Sequence, residues 1–362
     1  MTCPVCSQSS FAPVPLHAGR ARTRCQGCGL VAIEPLAPAA GPQQLQTHPQ
    51  PGEFLEQLPS GRLRLTVPRK SAGPADRWCF DTSTLQLLLL RYGFREVLAR
   101  PSGSSILVTA LPGPRPARPK CSIIVAVLNE QATFPVLMEA LLRQNLPEAD
   151  REIIVVESNS TDGTRELARQ YEGHPEVTLV LEDRPRGKGH AIREGLRRAT
   201  GDIVLIQDAD LEYDLNDYHA LLEPILSHRA LFVLGTRHAG SWKMRRFAQQ
   251  KSLAAVLNFG HAFFTGLINV LYRQNMTDPF TMFKVFHRDC LYGLEFQCDR
   301  FDFDHELVIK LVHKGYRPLE IPVNYASRSF REGKKVRMFR DPLTWLWVDF
   351  KLRFARVLPK DR

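Results

Sequence analysis

From Cys121 onward, short continuous apolar runs alternate with amphipathic stretches, and this alternation narrows the possible folds more than any other feature. CSIIVAVLNE, EIIVVES, VTLVLE and DIVLIQDAD read as strands; FPVLMEALLRQ, TDGTRELARQY and GKGHAIREGLRRAT read as the helices between them. Strands that are apolar on both faces and linked by amphipathic helices predict an α/β fold. Its sheet is Rossmann-like and mostly parallel, with helices on both faces. In such sheets ligands bind beyond the carboxyl ends of the strands.

Those ends are polar and rich in acids. The first strand runs into Asn129 and Glu130, the second into Glu157 and the loop to Asp162 and Gly163, the fourth into Asp208, Ala209 and Asp210. One such end reads as a helix cap; three adjacent ones predict a site. Carboxylates bind phosphate only through a cation, and Mg2+ or Mn2+ takes one or two of them together with substrate phosphate oxygens. Asp208 and Asp210, two residues apart, share a face in extended chain and can address one ion. Glu212 is a candidate third, water-mediated contact, and Asp214 starts the next helix. In PRGKGHAIREGL, Gly187 and Gly189 free the backbone to approach a phosphate, and Lys188 adds positive charge at a helix N-terminus.

The motifs VAVLNE, VVESNSTDGT, RGKGHAIREGLRRATGD and IQDADLEYD resemble those of family 2 glycosyltransferases with the GT-A fold. VLGTRHAG, NMTDPFTMFKVFHRD, FDFDHELVIKL and YRPLEIPVNYASRSFREGKKVR resemble the dolichyl- or polyprenyl-phosphate sugar synthase branch, so the likeness runs from about Cys121 to Arg340. The resemblance implies a nucleoside-diphosphate sugar donor, with Asn129, Glu130, Glu157 and Asp162 along the nucleoside. Asp208, Ala209, Asp210 and Lys188 would lie at the diphosphate, with Asp208, Asp210, Lys188 and Arg237 as the catalytic set. Two departures stand out: Glu157-Ser158 where paired aspartates are common, and Glu212 where that branch often has glutamine. A lipid-phosphate acceptor is already ionised and needs cationic clamps, for which Arg237, Arg328, Lys334 and Lys335 are candidates. A saccharide hydroxyl acceptor, as in cell-surface polysaccharide synthesis, needs a base, and Asp302, Asp304 and Glu306 are candidates. Asp302 and Asp304 are equally placed to cap the helix that follows. A non-catalytic sugar-nucleotide scaffold is a further alternative, disfavoured by the intact Asp208 and Asp210.

The remaining chain divides into residues 1–33, 34–111 and 341–362 around a transferase domain at 118–340. Cys3, Cys6, Cys25 and Cys28 form two CxxC knuckles and predict a closed, structural zinc ribbon. Residues 34–111 resemble, in fragments, the C-terminal end of class I methyltransferases that carry such a ribbon. The glycine-rich cofactor loop is missing, so this small α/β module is expected to serve docking or stability. The opening MTCPVCSQSS lacks a basic-then-apolar leader pattern, which predicts a cytoplasmic protein with thiols rather than disulfides.

A net charge of +10 suits polyanions or anionic membranes. Composition alone leaves nucleic acid, nucleotide phosphate and phospholipid open; the resemblance implies a sugar nucleotide and a membrane, with no nucleic acid. LAAVLNFGHAFFTGLINVLY (253–272) is interrupted by Asn258, His261 and Asn269 and reads as a buried or interfacial helix rather than a span. The C-terminal stretch interleaves Trp345, Trp347, Phe350 and Phe354 with Lys351, Arg353 and Arg356. It reads as an amphipathic helix, lying peripherally on the inner face of the membrane or packed on the catalytic domain.

Overall fold

The computed structural model describes residues 11–17, 20–25, 31–33, 55–57, 63–68, 78–79, 82–91, 94–103, 105–112, 118–146, 148–238, 251–327, 340–355 and 357, with side chains described from Thr82 onward except at Arg91, Pro112, residues 251–256 and Arg340. Two small antiparallel sheets come first. One pairs β1 (Phe11–His17), β2 (Arg20–Cys25), β3 (Val31–Ile33) and β6 (Trp78–Cys79); the other pairs β4 (Leu55–Gln57), β5 (Leu63–Pro68), β8 (Ser105–Pro112) and β7 (Phe94–Ser102). The β3–β6 pairing carries the first sheet across the expected boundary at residue 33. Helix α1 (Thr82–Arg91) lies against β7 and buries Leu85 and Leu87 through Leu90.

The region from Lys120 to Pro322 is built on a seven-stranded sheet in the order β11-β10-β9-β12-β14-β13-β15. Its parallel part comprises β9 (Lys120–Val127), β10 (Asp150–Glu157), β11 (Val177–Leu181) and β12 (Ile203–Asp208). Strand β14 (Lys284–His287) pairs antiparallel with β12 and with β13 (Phe232–Thr236), and β13 pairs parallel with β15 (Leu319–Pro322). The expected mostly parallel α/β sheet is therefore present.

The helices follow the predicted pattern: α2 (Phe134–Arg143), α3 (Thr164–Arg169), α4 (Lys188–Arg198), α5 (Tyr218–Leu226), α6 (Lys251–Tyr272), α7 (Phe303–His313) and α8 (Arg340–Phe354). Helix α2 buries Phe134, Leu137, Met138 and Leu141, the i, i+3, i+4, i+7 stripe of a one-sided helix. In the sheet, Ile123 to Val125, Ile153 to Val156 and Val204 to Ile206 are fully buried. Each such side chain contributes roughly 1.5–3 kcal/mol relative to exposure.

At the end of the sheet away from the acidic loops, Glu152 joins three segments. Its carboxylate accepts from Ser122 Oγ at 2.5 Å, Thr200 N at 2.7 Å and Thr200 Oγ1 at 2.8 Å, and pairs with Lys120 Nζ at 2.6 Å. Burial alone would raise its pKa, but these donors outweigh burial and lower it to about 2. The neighbouring Asp202 accepts from Lys120 N at 3.1 Å and pairs with Arg95 of β7 at 3.3 Å, tying the second small sheet to this end.

A folded-state pKa depressed below the ordinary glutamate value adds stability above that value, and the gain fades as pH falls through the folded one. Glu152→Gln should therefore lower stability at pH 7 by about 1–2 kcal/mol, after discounting for solvent screening. Chemical denaturation should show the difference from wild type shrinking between about pH 5 and pH 2; a pH-independent difference would reject this role.

Candidate active site at the strand ends

Strands β10, β9 and β12 are neighbours in the sheet, so their carboxyl ends lie side by side. Each following loop carries a non-glycine residue in the left-handed region: Asn129 (φ 51°), Asn159 (φ 58°) and Leu211 (φ 55°). Such backbone is costly for leucine above all, and it concentrates where a site requires it.

The first two loops interlock. Asn129 N donates to Ser160 Oγ at 2.9 Å, and Thr161 N donates to Asn129 Oδ1 at 2.9 Å. Glu130 N donates to Thr164 Oγ1 at 2.9 Å, and Gln131 N donates to Asp162 Oδ2 at 3.1 Å. Burial opposes ionisation of Asp162, but donors from Thr164 and Gln131 prevail and hold its carboxyl below the usual range. Glu157 is fully buried, pairs with Arg165 at 2.7 Å and accepts from Ser160 N at 2.6 Å. The four residues expected along a nucleoside thus sit together and shape these two loops.

A network with no counterpart in the motif reading lies beside them. Arg165 also donates to the Glu182 carbonyl at 2.8 Å; the Glu182 carboxylate accepts from Ser158 Oγ at 2.6 Å and contacts His190 Nδ1 at 2.5 Å. It links the second strand end to the first turn of α4.

Asp208 is the last residue of β12. Lys188, the first residue of α4, places Nζ 2.5 Å from Asp208 Oδ1 and 2.7 Å from Oδ2. Burial works against the ammonium charge, but Asp208, Asp304 and Asp210 together outweigh it and raise the lysine pKa. Lys188 therefore stands within a cluster of three carboxylates.

Strand β12 ends at Asp208; Ala209 and Asp210 already turn and Leu211 has positive φ, so the extended alternation expected to set Asp210, and after it Glu212, on the face of Asp208 stops at Asp208. The Glu212 carboxylate instead accepts from the Tyr325 hydroxyl at 2.7 Å, while Glu212 N donates to Asp210 Oδ1 at 3.2 Å. Asp214 accepts from Asn216 N at 2.9 Å and starts the following turn, as expected.

The glycines around Lys188 have a packing reason in addition to the one expected. A Cβ on Gly187, whose φ is +113°, would lie 2.4 Å from the Asp299 carbonyl; one on Gly189 would lie 2.5 Å from Phe303 Cβ. The segment running into α7 thus closes directly onto the head of α4, where His190 N donates to Asp299 O at 3.0 Å.

That docking separates the three acids of FDFDHE. Asp302 occupies the N-cap position of α7, but its carboxylate turns back to accept from Arg300 N at 3.0 Å, so it makes no side-chain cap. Glu306 accepts from Gln297 N at 3.0 Å and Cys298 N at 2.8 Å, and pairs with Lys310 at 2.5 Å. Asp304 pairs with Lys284 Nζ at 2.9 Å instead of capping, and it is the member of the three that acts on Lys188. Lys284 is fully buried; burial lowers its pKa, against the pull of Asp304.

Arg237, just beyond β13, forms a two-pronged pair with Asp278: Nε to Oδ2 at 2.7 Å and Nη2 to Oδ1 at 2.8 Å. Burial alone would raise the Asp278 pKa, but the guanidinium overrides it and holds the carboxyl far below its usual range. Arg237 lies 5.2 Å from the centroid of the Tyr325 ring, and His261 Nε2 stands 3.6 Å from Asp278. Arg328, Lys334, Lys335, Cys3, Cys6, Cys28 and the Cys25 side chain lie outside the described residues.

Among the described residues, no group of three or more His, Cys, Asp or Glu side chains is arranged to hold a metal ion. A nucleotide-borne Mg2+ or Mn2+ needs only one or two carboxylates, because phosphate oxygens and water complete its shell. Asp208 and Asp210 fit that requirement.

Residues 122–294 match the sequence profile of Glycosyl transferase family 2. The chain is 24% identical over 215 residues to a dolichol-phosphate mannosyltransferase of Pyrococcus furiosus, covering 59% of each chain. It is 28% identical over 257 residues to the dolichyl-phosphate beta-glucosyltransferase of Homo sapiens, covering 65% of this chain and 74% of that one. A low-salt glycan biosynthesis hexosyltransferase of Haloferax volcanii is 25% identical over 254 residues, covering 69% of this chain and 57% of its own. The chain thus spans less than two thirds of the length of the Pyrococcus furiosus and Haloferax volcanii relatives. Among solved structures, glucosyl-3-phosphoglycerate synthase of Mycobacterium tuberculosis with UDP aligns at 19% identity and TM-score 0.46, covering 67% of this chain and 82% of that one. A mannosyltransferase of Pyrobaculum calidifontis with GDP-Man and Mn2+ aligns at 24% identity and TM-score 0.41, covering 66% and 71%. The stretch from residue 122 to 294 is a glycosyl transferase family 2 domain.

Proposed function

We propose that this protein transfers a sugar, with inversion, from a nucleoside-diphosphate sugar to a polyprenyl or dolichyl phosphate. The observation that carries the reading is the contact of Lys188, at the head of α4, with Asp208, at the end of β12. It supports the reading because a cation and the candidate ion ligands Asp208 and Asp210 lie at the carboxyl end of a strand in a parallel α/β sheet, the region where such sheets bind ligands. Attack by the acceptor oxygen on the anomeric carbon breaks the bond to the diphosphate, so negative charge accumulates on the leaving oxygen. Lys188 meets that charge, and the first-turn amides of α4 add the positive end of a helix dipole. Mg2+ or Mn2+ held by Asp208 and Asp210 would supply Lewis-acid neutralisation of the same group.

The choice of acceptor rests on two supports. Two of the sequence relatives are named for dolichol-phosphate or dolichyl-phosphate transfer. A phosphate monoester, with its second pKa at about 6, is already nucleophilic at neutral pH and requires cations rather than a base. Arg237 is oriented by Asp278, and Tyr325 lies over it just before the segment bearing Arg328, Lys334 and Lys335. A second reading, transfer to a saccharide hydroxyl, is favoured by Asp304 alone. It is the candidate base beside Lys188, whereas the carboxylates of Asp302 and Glu306 accept from backbone N–H groups.

A lipid acceptor also calls for a membrane-facing surface. Among the described residues no helix is long and apolar enough to cross a membrane. Helix α8 buries Val348 and Leu352 against the domain, yet leaves Trp347 68% and Phe354 83% exposed; Phe259 of α6 is 74% exposed. Apolar residues beside Lys351 and Arg353 suit an anionic lipid interface. The two CxxC knuckles are proposed to hold one structural zinc.

Offered UDP- and GDP-sugars, polyprenyl phosphate and Mn2+, the full chain should release product into the organic phase; product only on saccharide hydroxyls would favour the second reading. Asp208→Ala or Asp210→Ala should lower turnover by about a hundred- to a thousand-fold, and full turnover in either variant would remove the metal assignment. Sedimentation with phosphatidylglycerol vesicles should fall by about tenfold or more in Trp347→Glu/Phe354→Glu, whereas unchanged binding would reject α8 as the lipid face. Metal analysis should find one zinc per chain, lost on Cys25→Ser; no zinc in the wild type would exclude the ribbon site.

A further inference from the structure

We propose, on the basis of the nucleotide-sugar reading above, that Lys188 is a place-holder for the divalent ion on Asp208, so that the ion and the donor diphosphate bind as one coupled event. The Lys188 ammonium lies within 2.7 Å of both carboxylate oxygens of Asp208. An ion coordinated by Asp208 through either oxygen competes with Lys188 for it, and an ammonium and a divalent cation repel at that range. Loading the ion therefore displaces Lys188.

The displaced ammonium stays charged and sits in a poorly solvated place, its side chain 17% exposed, so it needs another anion. Of the two other carboxylates that act on Lys188, Asp210 is the second candidate ligand of the ion, and Asp304, in the first turn of α7, is already held by Lys284 at 2.9 Å. Asp304 is therefore a weak second seat, and the ion alone gains little from entering. A diphosphate changes the balance, because it accepts Lys188 and ligates the ion at the same time. Each ligand then raises the affinity of the other by the same factor, as linkage requires. The movement also delivers Lys188 to the oxygen on which charge accumulates, so the group that guards the empty site becomes the one that steadies the leaving group.

The test is calorimetric titration of the full chain with Mn2+ alone, with UDP or GDP alone, and with each nucleotide in the presence of Mn2+. In wild type the nucleotide should tighten Mn2+ binding by about ten- to a hundredfold. In Lys188→Met, Mn2+ alone should bind about tenfold more tightly and the coupling factor should shrink by about tenfold. Lys188→Arg, which keeps the charge, should leave Mn2+ binding no tighter than wild type. A crystal of the wild-type protein with Mn2+ and the nucleotide that binds should show Lys188 Nζ on a phosphate oxygen, beyond hydrogen-bonding range of Asp208.

Mn2+ affinity in Lys188→Met equal to or weaker than wild type, or Lys188 still on Asp208 in that complex, overturns the place-holder while leaving the glycosyltransferase reading intact. A wild-type protein that binds neither UDP nor GDP in the presence of Mn2+ overturns the nucleotide-sugar reading itself, and the place-holder with it.

Discussion

Everything at the candidate site depends on the parallel pairing of β10, β9 and β12. Register partners such as Val155 with Val125 and Leu205 with Ile123 keep the three strands level, so their carboxyl ends finish together. Parallel strands must each be re-entered from the same side, and the crossover helices that do this bury both faces of the sheet. The strand interiors are accordingly apolar, and polar chemistry is confined to the two ends. Glu152 and Asp202 serve the amino end by joining strand to strand, while Asp208 and its neighbours serve the carboxyl end, where loops are free to differ.

The carboxyl end is a problem in charge compensation. Buried carboxylates without partners would protonate, and buried lysines without partners would lose their proton. The structure meets this with pairs of opposite sign: Lys188 with Asp208, Lys284 with Asp304, Arg237 with Asp278, Arg165 with Glu157. Such pairs are not strong stabilisers against an apolar core, but they hold charges in place before any ligand arrives. The proposed reaction, which builds charge on a diphosphate, would gain from that arrangement, because once Lys188 has passed from Asp208 to the diphosphate the compensating groups need little rearrangement during the step.

How much of this could be read from the sequence follows from the range of each interaction. Strand and helix periods are local, so the βα alternation, the parallel sheet and the placement of Asp208 and Lys188 were all legible. The meeting of Lys188 and Asp208, 20 residues apart, was inferable because a parallel sheet puts the head of one helix near the end of the next strand. Lys284 with Asp304 was not legible. It requires knowing that β14 enters antiparallel beside β12 and that α7 folds back onto the head of α4. Arg237 with Asp278 and Glu212 with Tyr325 span 41 and 113 residues, and no periodicity encodes such partners. Asp210 and Glu212 also show a local limit, since the expected alternation assumed extended chain and the turn that starts at Ala209, directly after β12, ended it. The Gly187 and Gly189 contacts extend the lesson: a glycine signals close approach, but not what approaches.

Helix α7 links these levels. Its first turn carries Asp304 into the charged cluster, and the next residue, His305, meets helix α8 instead. There His305 Nδ1 lies 2.7 Å from Asp349 of α8, with its ring between Phe280 at 4.4 Å and Trp345 at 5.4 Å. Tyr272 of α6 donates to the Asp349 carbonyl at 2.5 Å, so all three helices meet at one buried residue. Consecutive positions on a helix point about 100° apart, which lets adjacent side chains serve a polar cleft on one side and an aromatic seam on the other. The outward faces of α6 and α8, with Phe259, Trp347 and Phe354 exposed, are thereby held in fixed relation to Asp304 and Lys188. An acceptor with an apolar chain and a phosphate head needs that relation, because its chain must stay in an apolar phase while its head reaches the diphosphate. Under the proposed lipid-phosphate acceptor, the packed seam between the surface helices and the site would serve that requirement; among the described residues no helix is long and apolar enough to cross a membrane.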